Sequence, residues 1–353
     1  MPKTSFAIEE TLVAIGYSAD CTLDLTGHDF ALSCHLVPVM LSYPRLSKIP
    51  SVFRSFTGLE VSEFDSVYSE VEEVYPSAEE KRLSRKNRQR EIGAGHPFRL
   101  PLRDRLLMLL TYYRLYVTST LTGFLYDLGQ TNVLKDIRML EPAVKEVLPL
   151  PEKVYRKARK IRTIEELEEM FPGLRAIIDA TEQEVPRPKN STKRKAHYSG
   201  KRRRHTVKTQ LTVNSNGLIV HRTSHARGRV HDYALFKRDR PRLPEGVRPM
   251  VDLGYYGIQG DYPDLDAIIP FKRHGRGRGR GRGSEKAPDL TPEQKAFNRQ
   301  VSKERVVVEH TISRLKKFRV MGEEFRNRLR HYDLMTDIVS GLVNLRITGK
   351  LTP

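Results

Sequence analysis

The sequence has little cysteine and no long hydrophobic run, and each shortage excludes a class of protein. Its 353 residues contain 2 cysteines, Cys21 and Cys34. Two cysteines cannot form a disulfide framework or a four-cysteine zinc site, so we expect a reducing, cytoplasmic environment. The strongest apolar run, Leu106 to Leu110, ends at Thr111. A membrane-spanning helix needs about 20 apolar residues in a row, so an integral membrane protein is not expected.

Acidic residues are scarce relative to basic ones. The chain has 62 Lys+Arg against 43 Asp+Glu, a formal net charge of +19. This charge favours a polyanionic partner, which could be nucleic acid, anionic lipid or an acidic protein. Basic residues cluster in three blocks, at 81–90, at 189–205 and at 272–282, and the last contains the repeat GRGRGRGRG. One such block is typical of a solvated surface, whereas three together favour nucleic acid.

The N-terminal half, residues 40–150, has helical periodicity. Before it, residues 1–39 have no clear period and form an N-terminal extension of unknown role. Apolar residues at helical spacing predict amphipathic helices near 46–56 and at 62–75. The polar residues 76–95 predict a mostly basic linker between these helices and the next ones.

A helix-turn-helix pattern follows, at about residues 98–148. We predict that one helix begins at Pro101, because proline is favoured in the first helical turn. A short helix at Ser119 to Tyr126 and another at Thr131 to Leu140 are separated by a tight turn, which is typical of a helix-turn-helix. A plain helical subdomain has the same pattern and stays an alternative.

The last of these helices is the candidate DNA-recognition helix. Gln130 or Thr131 is predicted to cap its N-terminus. Its polar face would expose Asn132, Lys135 and Arg138, which are side chains suited to contacts with DNA.

The C-terminal half has the short apolar runs of buried strands. Residues 151–173 follow several prolines and are predicted to be a connector. A short helix at 231–237 and a long helix introduced by Thr291 and Pro292 alternate with predicted strands at 176–180, 205–214, 218–224, 249–253 and 267–270. This order predicts an α/β fold with a mixed sheet over residues 174–348, interrupted by a basic Gly-Arg loop at 272–290.

Two of the predicted strands end in an acid, and a third acid lies on the long helix. These residues are Asp179, Asp252 and Glu309. Carboxylates about 4 Å apart repel by roughly 4 kcal/mol per pair, so a cluster needs a cation or raised pKa values. Mg²⁺ suits such a cluster because it prefers carboxylate oxygens and binds substrate phosphates. With 43 acids in the chain, spacing alone does not single out this triplet.

Several sequence words carry a resemblance to a known family. They are IIDATEQEVPRP with Asp179, YSGKRRRHTVKTQ, RVHD followed by LF, VDLGYYG with Asp252, and RVVVEHTISRLKKFRV with Glu309. In this order, over roughly residues 40–348, they resemble the DDE transposases of bacterial and archaeal insertion sequences related to the Harbinger group. The upstream helix-turn-helix is similar to the family's usual N-terminal half.

The resemblance implies an RNase H-like mixed-sheet catalytic core preceded by an all-α helix-turn-helix region. It implies that Asp179, Asp252 and Glu309 are catalytic metal ligands, for Mg²⁺ or for Mn²⁺ in its place. The implied substrate is double-stranded DNA, both the terminal inverted repeats of an element and its target. Metal-dependent phosphodiester cleavage and strand transfer would proceed without a covalent enzyme intermediate. We also expect a homodimer or higher oligomer on DNA, and a nucleoid-associated location in the cytoplasm.

Basic side chains around this core are expected to contact the DNA backbone. Together with the three residues of the helix-turn-helix, the predicted DNA-binding set is Asn132, Lys135, Arg138, Lys193, Lys195, Lys201, Arg202, Arg203, Arg204, Lys208, Arg314 and Lys317. A solvated helix face stays the alternative for Arg314 and Lys317. Asp232 could lie near the bound phosphate or cap a helix. Tyr255 and Tyr256 could pack beside the acids or stack on a flipped base.

Two other functions stay open on the sequence alone. A catalytically silent or domesticated DNA-binding protein would keep the fold without cleavage. An RNA-binding protein would use the Gly-Arg repeat, because such segments bind RNA without a fixed structure. The sequence has no P-loop, GxSxG or HExxH motif, so nucleotide hydrolysis, serine esterase and zinc protease activities lack support. Met40 stands where relatives would begin, so we expect an upstream extension, and we expect no secretion signal.

Overall fold

The structure, a computed structural model, describes residues 41–84, 89, 91, 96–272 and 289–351. The predicted N-terminal extension and most of the predicted Gly-Arg loop lie outside these residues. Within the described ranges, no helix is long and apolar enough to cross a membrane.

The first half of the described chain is helical. Its helices are α1 (Tyr43–Leu46), α2 (Pro50–Thr57), α3 (Val61–Leu83), α4 (Leu102–Leu115), α5 (Ser119–Tyr126), α6 (Gln130–Val147), α7 (Pro151–Ala158) and α8 (Ile164–Met170). The segment predicted as a connector thus contains two helices. Val154 and Leu167 from these helices share a small hydrophobic core with Val220 of the sheet.

The predicted linker at 76–95 is wrong at its start, because α3 continues through Pro76 to Leu83. Pro76 is exposed, so the carbonyl that loses its helical partner can bind water instead. On either side of it, Tyr75 and Ala78 pack against the main hydrophobic core. Tertiary packing therefore overrides the polar pattern of the sequence here.

Helices α5 and α6 form the predicted helix-turn-helix, and the bounds predicted for α5 are confirmed. The Gly123 carbonyl accepts a hydrogen bond from the Leu128 N–H at 2.8 Å, which closes the turn. A Cβ atom on Gly123 would lie 2.3 Å from the Leu128 carbonyl oxygen. The close approach of the two helices therefore requires glycine at this position.

Helix α6 differs from its prediction at both ends. Gly129 occupies the N-cap instead of Gln130 or Thr131, and the helix runs through Pro142 to Val147. Its additional C-terminal turns are held by buried apolar side chains, Val147 among them, which pack on the core. The candidate recognition helix is thus longer, at Gln130–Val147, than the predicted segment from Thr131 to Leu140.

The second half contains a 6-stranded mixed sheet. The strands are β1 (Arg175–Glu184), β2 (Tyr198–Ser199), β3 (Arg204–Asn214), β4 (Ile219–Arg222), β5 (Ala226–Arg227) and β6 (Arg248–Met250). Strand β3 pairs antiparallel with β1, β2, β4 and β5, whereas β6 pairs parallel with β1. The main path is β2-β3-β1-β6, which puts β1 between β3 and β6. The predicted α/β class with a mixed sheet is confirmed.

Several strands differ from their predictions, among them β6, which ends at Met250 instead of at residue 253, so Asp252 lies beyond it. Strand β1 spans 10 residues because β3 pairs with it from Ala176 to Glu184, so Asp179 lies mid-strand instead of at a strand end. The segment predicted as a strand at 267–270 makes one parallel bridge, between Ile268 and Met250.

The remaining helices cover the sheet. They are α9 (Ser191–His197), α10 (Asp232–Arg238), α11 (Ile258–Asp261), α12 (Pro292–Lys316), α13 (Arg319–Gly322) and α14 (Tyr332–Thr348). The predicted start of the long helix is confirmed: Thr291 and Gln294 form a capping box at the head of α12. Val301, Val308 and Leu315 are buried along α12, which packs against β1 and β3.

Helix α14 joins the helical half to the sheet through buried polar contacts. The fully buried Asn344 accepts from the Ile219 N–H at 2.8 Å and donates to the Pro149 carbonyl at 3.0 Å. Lys145 of α6 donates to Asp337 of α14 at 3.1 Å. One hydrophobic core continues from the helices into the sheet, so the candidate recognition helix is packed on the same core as β1.

The turn between α5 and α6 gives a stability test. Gly123→Ser should lower the free energy of unfolding by about 1–3 kcal/mol, because the new side chain collides with the Leu128 carbonyl. Gly129→Ser is the matched control, since a Cβ there meets nothing within 4 Å. Serine is also a favoured N-cap residue, so this variant should stay within about 0.5 kcal/mol of the wild type. Equal stability of the two variants in urea unfolding would contradict the tight-turn account.

Candidate active site

Asp179 and Asp252 lie side by side because of the pairing between β1 and β6. Ile177 is paired with Met250 in the parallel ladder. Asp179 comes two residues after Ile177, and Asp252 comes two residues after Met250. The two carboxylates therefore lie at the same level along the strand direction. Asp252 starts a 3₁₀ turn, Leu253–Tyr255, and its Oδ1 accepts from the Gly254 N–H at 2.8 Å. The sheet register and this turn together fix the two carboxyl groups.

The charge around Asp179 is strongly negative and partly compensated. Burial raises the pKa of Asp179, and repulsion from Asp252 and Asp232 raises it further. The Arg305 guanidinium opposes this rise in the pKa, with Nη2 at 3.7 Å from Oδ1 of Asp179. The Ala180 N–H donates to the same oxygen at 2.8 Å. The site therefore concentrates carboxylates, and the Arg305 guanidinium offsets part of their charge.

Asp232 is a member of this acidic group that sequence reasoning left undecided. It is not the cap of α10, because His231 occupies that position. The Lys208 ammonium lies 2.6 Å from Oδ1 of Asp232, and its charge acts on Asp179. The only sequence signal for this role was the word RVHD, which did not distinguish it from a helix cap.

Tyr255 lies close enough to the acids for their charges to act on it. Its side chain is fully buried, and its hydroxyl donates to Oε1 of Gln210 at 3.0 Å. Burial raises the pKa of Tyr255 well above its usual value, and repulsion from Asp232, Asp179 and Asp252 adds to the rise. The phenol is thus held neutral as a packing element beneath the carboxylates.

Glu309 lies beside this pair on α12 but does not join it. Helix α12 runs alongside β1 in the same direction, since Glu304 pairs with Arg175 and the Lys316 ammonium donates to the Glu182 carbonyl at 3.2 Å. On the helix, Glu309 lies between Glu304 and Lys316. On the strand, Asp179 lies between their partners, Arg175 and Glu182. Its exposed carboxylate has no hydrogen bond or ion pair to other described residues.

The donor set fits a hard divalent cation at its centre. Mg²⁺ is usually held by one or two carboxylates and completes its coordination with water and substrate phosphate. Asp179 and Asp252 supply such a pair, with one oxygen of each fixed by a backbone N–H. In the described part of the chain, no three His, Cys, Asp or Glu side chains come close enough together to hold one ion. The geometry thus supports a two-carboxylate centre with Glu309 at its edge.

The predicted DNA-binding side chains are nearly all exposed. Asn132, Lys135 and Arg138 form one stripe on the outer face of α6. Around the sheet, exposed positions are Lys193, Lys195, Lys201, Arg202, Arg203, Arg204, Arg314 and Lys317. Burial lowers the pKa of Lys316, and repulsion from Arg202 lowers it further, so positive charge from the loop before β3 acts on the end of α12. These two segments form one basic surface, which we define by Arg202, Arg203, Arg204, Lys316 and Lys317.

Lys208 is the exception among the predicted DNA contacts. It lies in β3 opposite Glu182 of β1, and its side chain is only 8% exposed. Its ammonium is 3.5 Å from Oε1 of Glu182, is close to Asp232, and donates to the Val230 carbonyl at 2.9 Å. The predicted contact of Lys208 with the DNA backbone is therefore replaced by an internal role, because this charge faces acids of the same chain.

Comparison with known proteins identifies the family that the chain resembles. A family model described as DDE superfamily endonuclease matches residues 178–344, and one described as helix-turn-helix of DDE superfamily endonuclease matches residues 98–150. The chain is 29% identical to the probable transposase for insertion sequence element IS702 of Microchaete diplosiphon over 267 residues, which is 72% of this chain and 84% of that protein. No solved structure matches the chain significantly.

The fold and these sequence matches together define the protein family. The chain belongs to the DDE superfamily endonucleases and carries the helix-turn-helix of that family ahead of its mixed-sheet core. The resemblance drawn from the sequence is confirmed, and so is the predicted fold class. Endonucleases of this superfamily use divalent metal ions.

The internal role of Lys208 can be tested by stability. Lys208→Met leaves Glu182 and Asp232 without their cation in a largely buried place, which should cost about 3 kcal/mol in urea unfolding at pH 7. Lys201→Met, at an exposed position of the same basic segment, should change stability by less than about 0.5 kcal/mol. If Lys208→Met unfolds like the wild type and loses DNA affinity instead, Lys208 is the backbone ligand that the sequence predicted.

Proposed function

We propose that this protein is a DNA transposase that binds the terminal inverted repeats of its element and catalyses metal-dependent phosphodiester cleavage and strand transfer. The observation that carries the proposal is the placement of Asp179 beside Asp252, with the Glu309 helix alongside. The family match over residues 178–344 and the similarity to an insertion-sequence transposase support it.

The residues of the chain have separate tasks in this proposal. Asp179 and Asp252 would hold Mg²⁺, or Mn²⁺ in its place, and the exposed Glu309 side chain would have to turn towards them to complete the set. The bound ion would activate the attacking oxygen and stabilise the leaving one. The Ala180 and Gly254 N–H groups orient the two aspartates. Arg305 opposes the rise in the pKa of Asp179 that burial causes, and so favours the charged form that can act as a ligand.

DNA would be held by two surfaces on one rigid core. The stripe of Asn132, Lys135 and Arg138 on α6 suits the major groove, because the second helix of a helix-turn-helix enters it. The basic surface near the acids suits the phosphates of the strand to be cut, since cations fix the register of a duplex without reading its sequence. We infer double-stranded DNA as partner, both element ends and target, bound by a homodimer or higher oligomer in the nucleoid.

The catalytic assignment predicts a separation of cleavage from binding. Asp179→Asn and Glu309→Gln should reduce Mg²⁺-dependent nicking of the element's terminal repeats to the protein-free background. DNA affinity should stay within about twofold, because no phosphate contact is removed. Glu165→Gln, at an exposed position of α8, is the control that should cleave normally.

The outcome also decides between this proposal and a catalytically silent DNA-binding protein. A wild-type chain that binds the repeats but never nicks them, with either Mg²⁺ or Mn²⁺, would favour the silent protein. Nicking by Asp179→Asn at the wild-type rate would remove Asp179 from the catalytic set.

The helix-turn-helix assignment predicts a change in salt dependence. Arg138→Ala should weaken binding to the terminal repeats and make the plot of log affinity against log salt concentration less steep by about 0.9 if one phosphate contact is lost. Asn132→Ala should reduce discrimination between the repeat and a scrambled duplex, by about 1–3 kcal/mol if the amide reads a base. Arg156→Ala on α7, an exposed arginine outside the helix-turn-helix, serves as the control in fluorescence anisotropy titrations. Unchanged affinity and an unchanged salt slope in Arg138→Ala would place the recognition surface elsewhere.

A further inference from the structure

A basic loop leads into helix α14, and the functional surfaces described above do not include it. Residues 325–331 read FRNRLRH, with three arginines and no acid. We call this segment the arginine loop and define it by Arg326, Arg328 and Arg330, all of which are exposed. It lies outside the helix-turn-helix match at residues 98–150 and outside the predicted set of DNA contacts. Its charge therefore needs an explanation of its own.

The arginine loop is anchored both to the sheet and to the helical half of the chain. The Phe325 N–H donates to the Glu184 carbonyl at 2.8 Å, at the end of the strand that carries Asp179. The Arg326 N–H donates to the hydroxyl of Tyr116, the C-cap of α4, at 2.7 Å. The Arg326 guanidinium also lies over the Tyr116 ring, 4.2 Å from its centre. A ligand of this loop would find the backbone already ordered, which favours binding.

Arg328 and Arg330 are the charges that this anchoring leaves available. Leu329 between them packs against the main hydrophobic core, and both arginines are exposed. Arg330 donates to the His331 ring at 3.2 Å, but neither arginine has an ion pair with another described residue. The next acid along the chain, Asp333, is already 3.0 Å from an arginine of the sheet. The two guanidinium groups are thus free to bind an anion.

The arginine loop lies beside the candidate recognition helix. Helices α6 and α14 pack against each other. They run in the same direction, since Lys145 contacts Asp337, and Asn344 further along contacts Pro149 further along. Followed back from these contacts, the start of α14 comes level with the middle of α6, where Arg138 lies. The loop that leads into α14 therefore adjoins the polar stripe of α6.

Positive charge accumulates where the loop and α6 adjoin. Burial lowers the pKa of His331, the residue before α14, and repulsion from Arg138, Arg330 and Arg328 lowers it further. Charge from the recognition helix and charge from the loop therefore act on the same imidazole. Like charges held together repel, and a bound polyanion would relieve this repulsion. The phosphates of DNA suit the site, because the planar guanidinium of arginine binds phosphate with two parallel hydrogen bonds.

We propose that the arginine loop binds the phosphate backbone of the duplex that α6 reads, through Arg328 and Arg330. This inference rests on the proposed transposase function and adds a contact surface to it. The loop is attached to the end of α4, just ahead of the helix-turn-helix, and to the end of β1, the strand of Asp179. DNA held there would run from the recognition helix towards the acids. Backbone contacts fix the register of a duplex without reading its bases, so sequence preference would stay with α6.

The test measures binding without cleavage. The full-length protein, in EDTA, is titrated by fluorescence anisotropy with the terminal repeat and with a scrambled duplex of the same length. Arg328→Gln/Arg330→Gln should bind both duplexes roughly 10-fold more weakly near physiological salt, with the ratio between them unchanged. The plot of log affinity against log salt concentration should become less steep by about 1.8, since each lost phosphate contact contributes about 0.9. Arg328→Lys/Arg330→Lys should keep most of the affinity and the slope, because it keeps both charges.

Arg156→Gln/Arg162→Gln is the matched control, because it removes two exposed positive charges outside the helix-turn-helix and the arginine loop. Its affinity and salt slope should equal those of the wild type. Unchanged affinity and slope in the glutamine variant of the loop would overturn the proposal. So would a loss confined to the terminal repeat, which would mean that the loop only positions α6, or an equal loss in the lysine variant. Because no metal or cleavage is involved and the scrambled duplex needs no recognition, a failure of the nicking experiment leaves this result independent.

Discussion

The parallel register between β1 and β6 is the constraint on which the site depends. Pairing Ile177 with Met250 brings Asp179 and Asp252 to one level of the sheet. Two carboxylates so placed repel each other, and at about 4 Å the repulsion is roughly 4 kcal/mol. The Arg305 guanidinium, the Ala180 N–H and the Gly254 N–H offset part of this cost. The fold therefore holds two acids in an arrangement that a divalent cation would stabilise further.

Helix α12 makes polar contacts with β1 along most of the strand's length. Glu304, Arg305 and Lys316 each contact a different point of the strand, so the helix cannot slide without breaking several polar contacts. The same core extends to α6 through α14, whose buried Asn344 ties the sheet edge to the end of the helical half. Because side chains in such cores interlock, the helix-turn-helix keeps a defined position relative to the acids.

Local signals in the sequence predicted a good part of this arrangement. The bounds of α5 and the capping box of Thr291 could be identified because caps and turns are determined by neighbouring residues. The two aspartates were named through the family resemblance, since spacing alone did not single them out and Asp179 lies inside β1 instead of at its end. The continuation of α3 past Pro76 could not be identified, since it depends on packing of Tyr75 against distant helices. The burial of Lys208 was missed for the same reason: its partner Glu182 faces it only through strand pairing. A cluster of basic residues in a sequence thus does not show which of its side chains face solvent and which face acids of the same chain.

The adjacent tyrosines after Asp252 illustrate how far one residue step can separate two roles. The 3₁₀ turn sends the Tyr255 ring inward, where burial and three nearby carboxylates raise the pKa of its phenol and keep it uncharged. The next ring faces outward at 60% exposure. The exposed ring keeps part of its area covered and contacts the Lys272 ammonium, 4.7 Å from its centre, so one turn gives the first ring a core position and the second a surface contact.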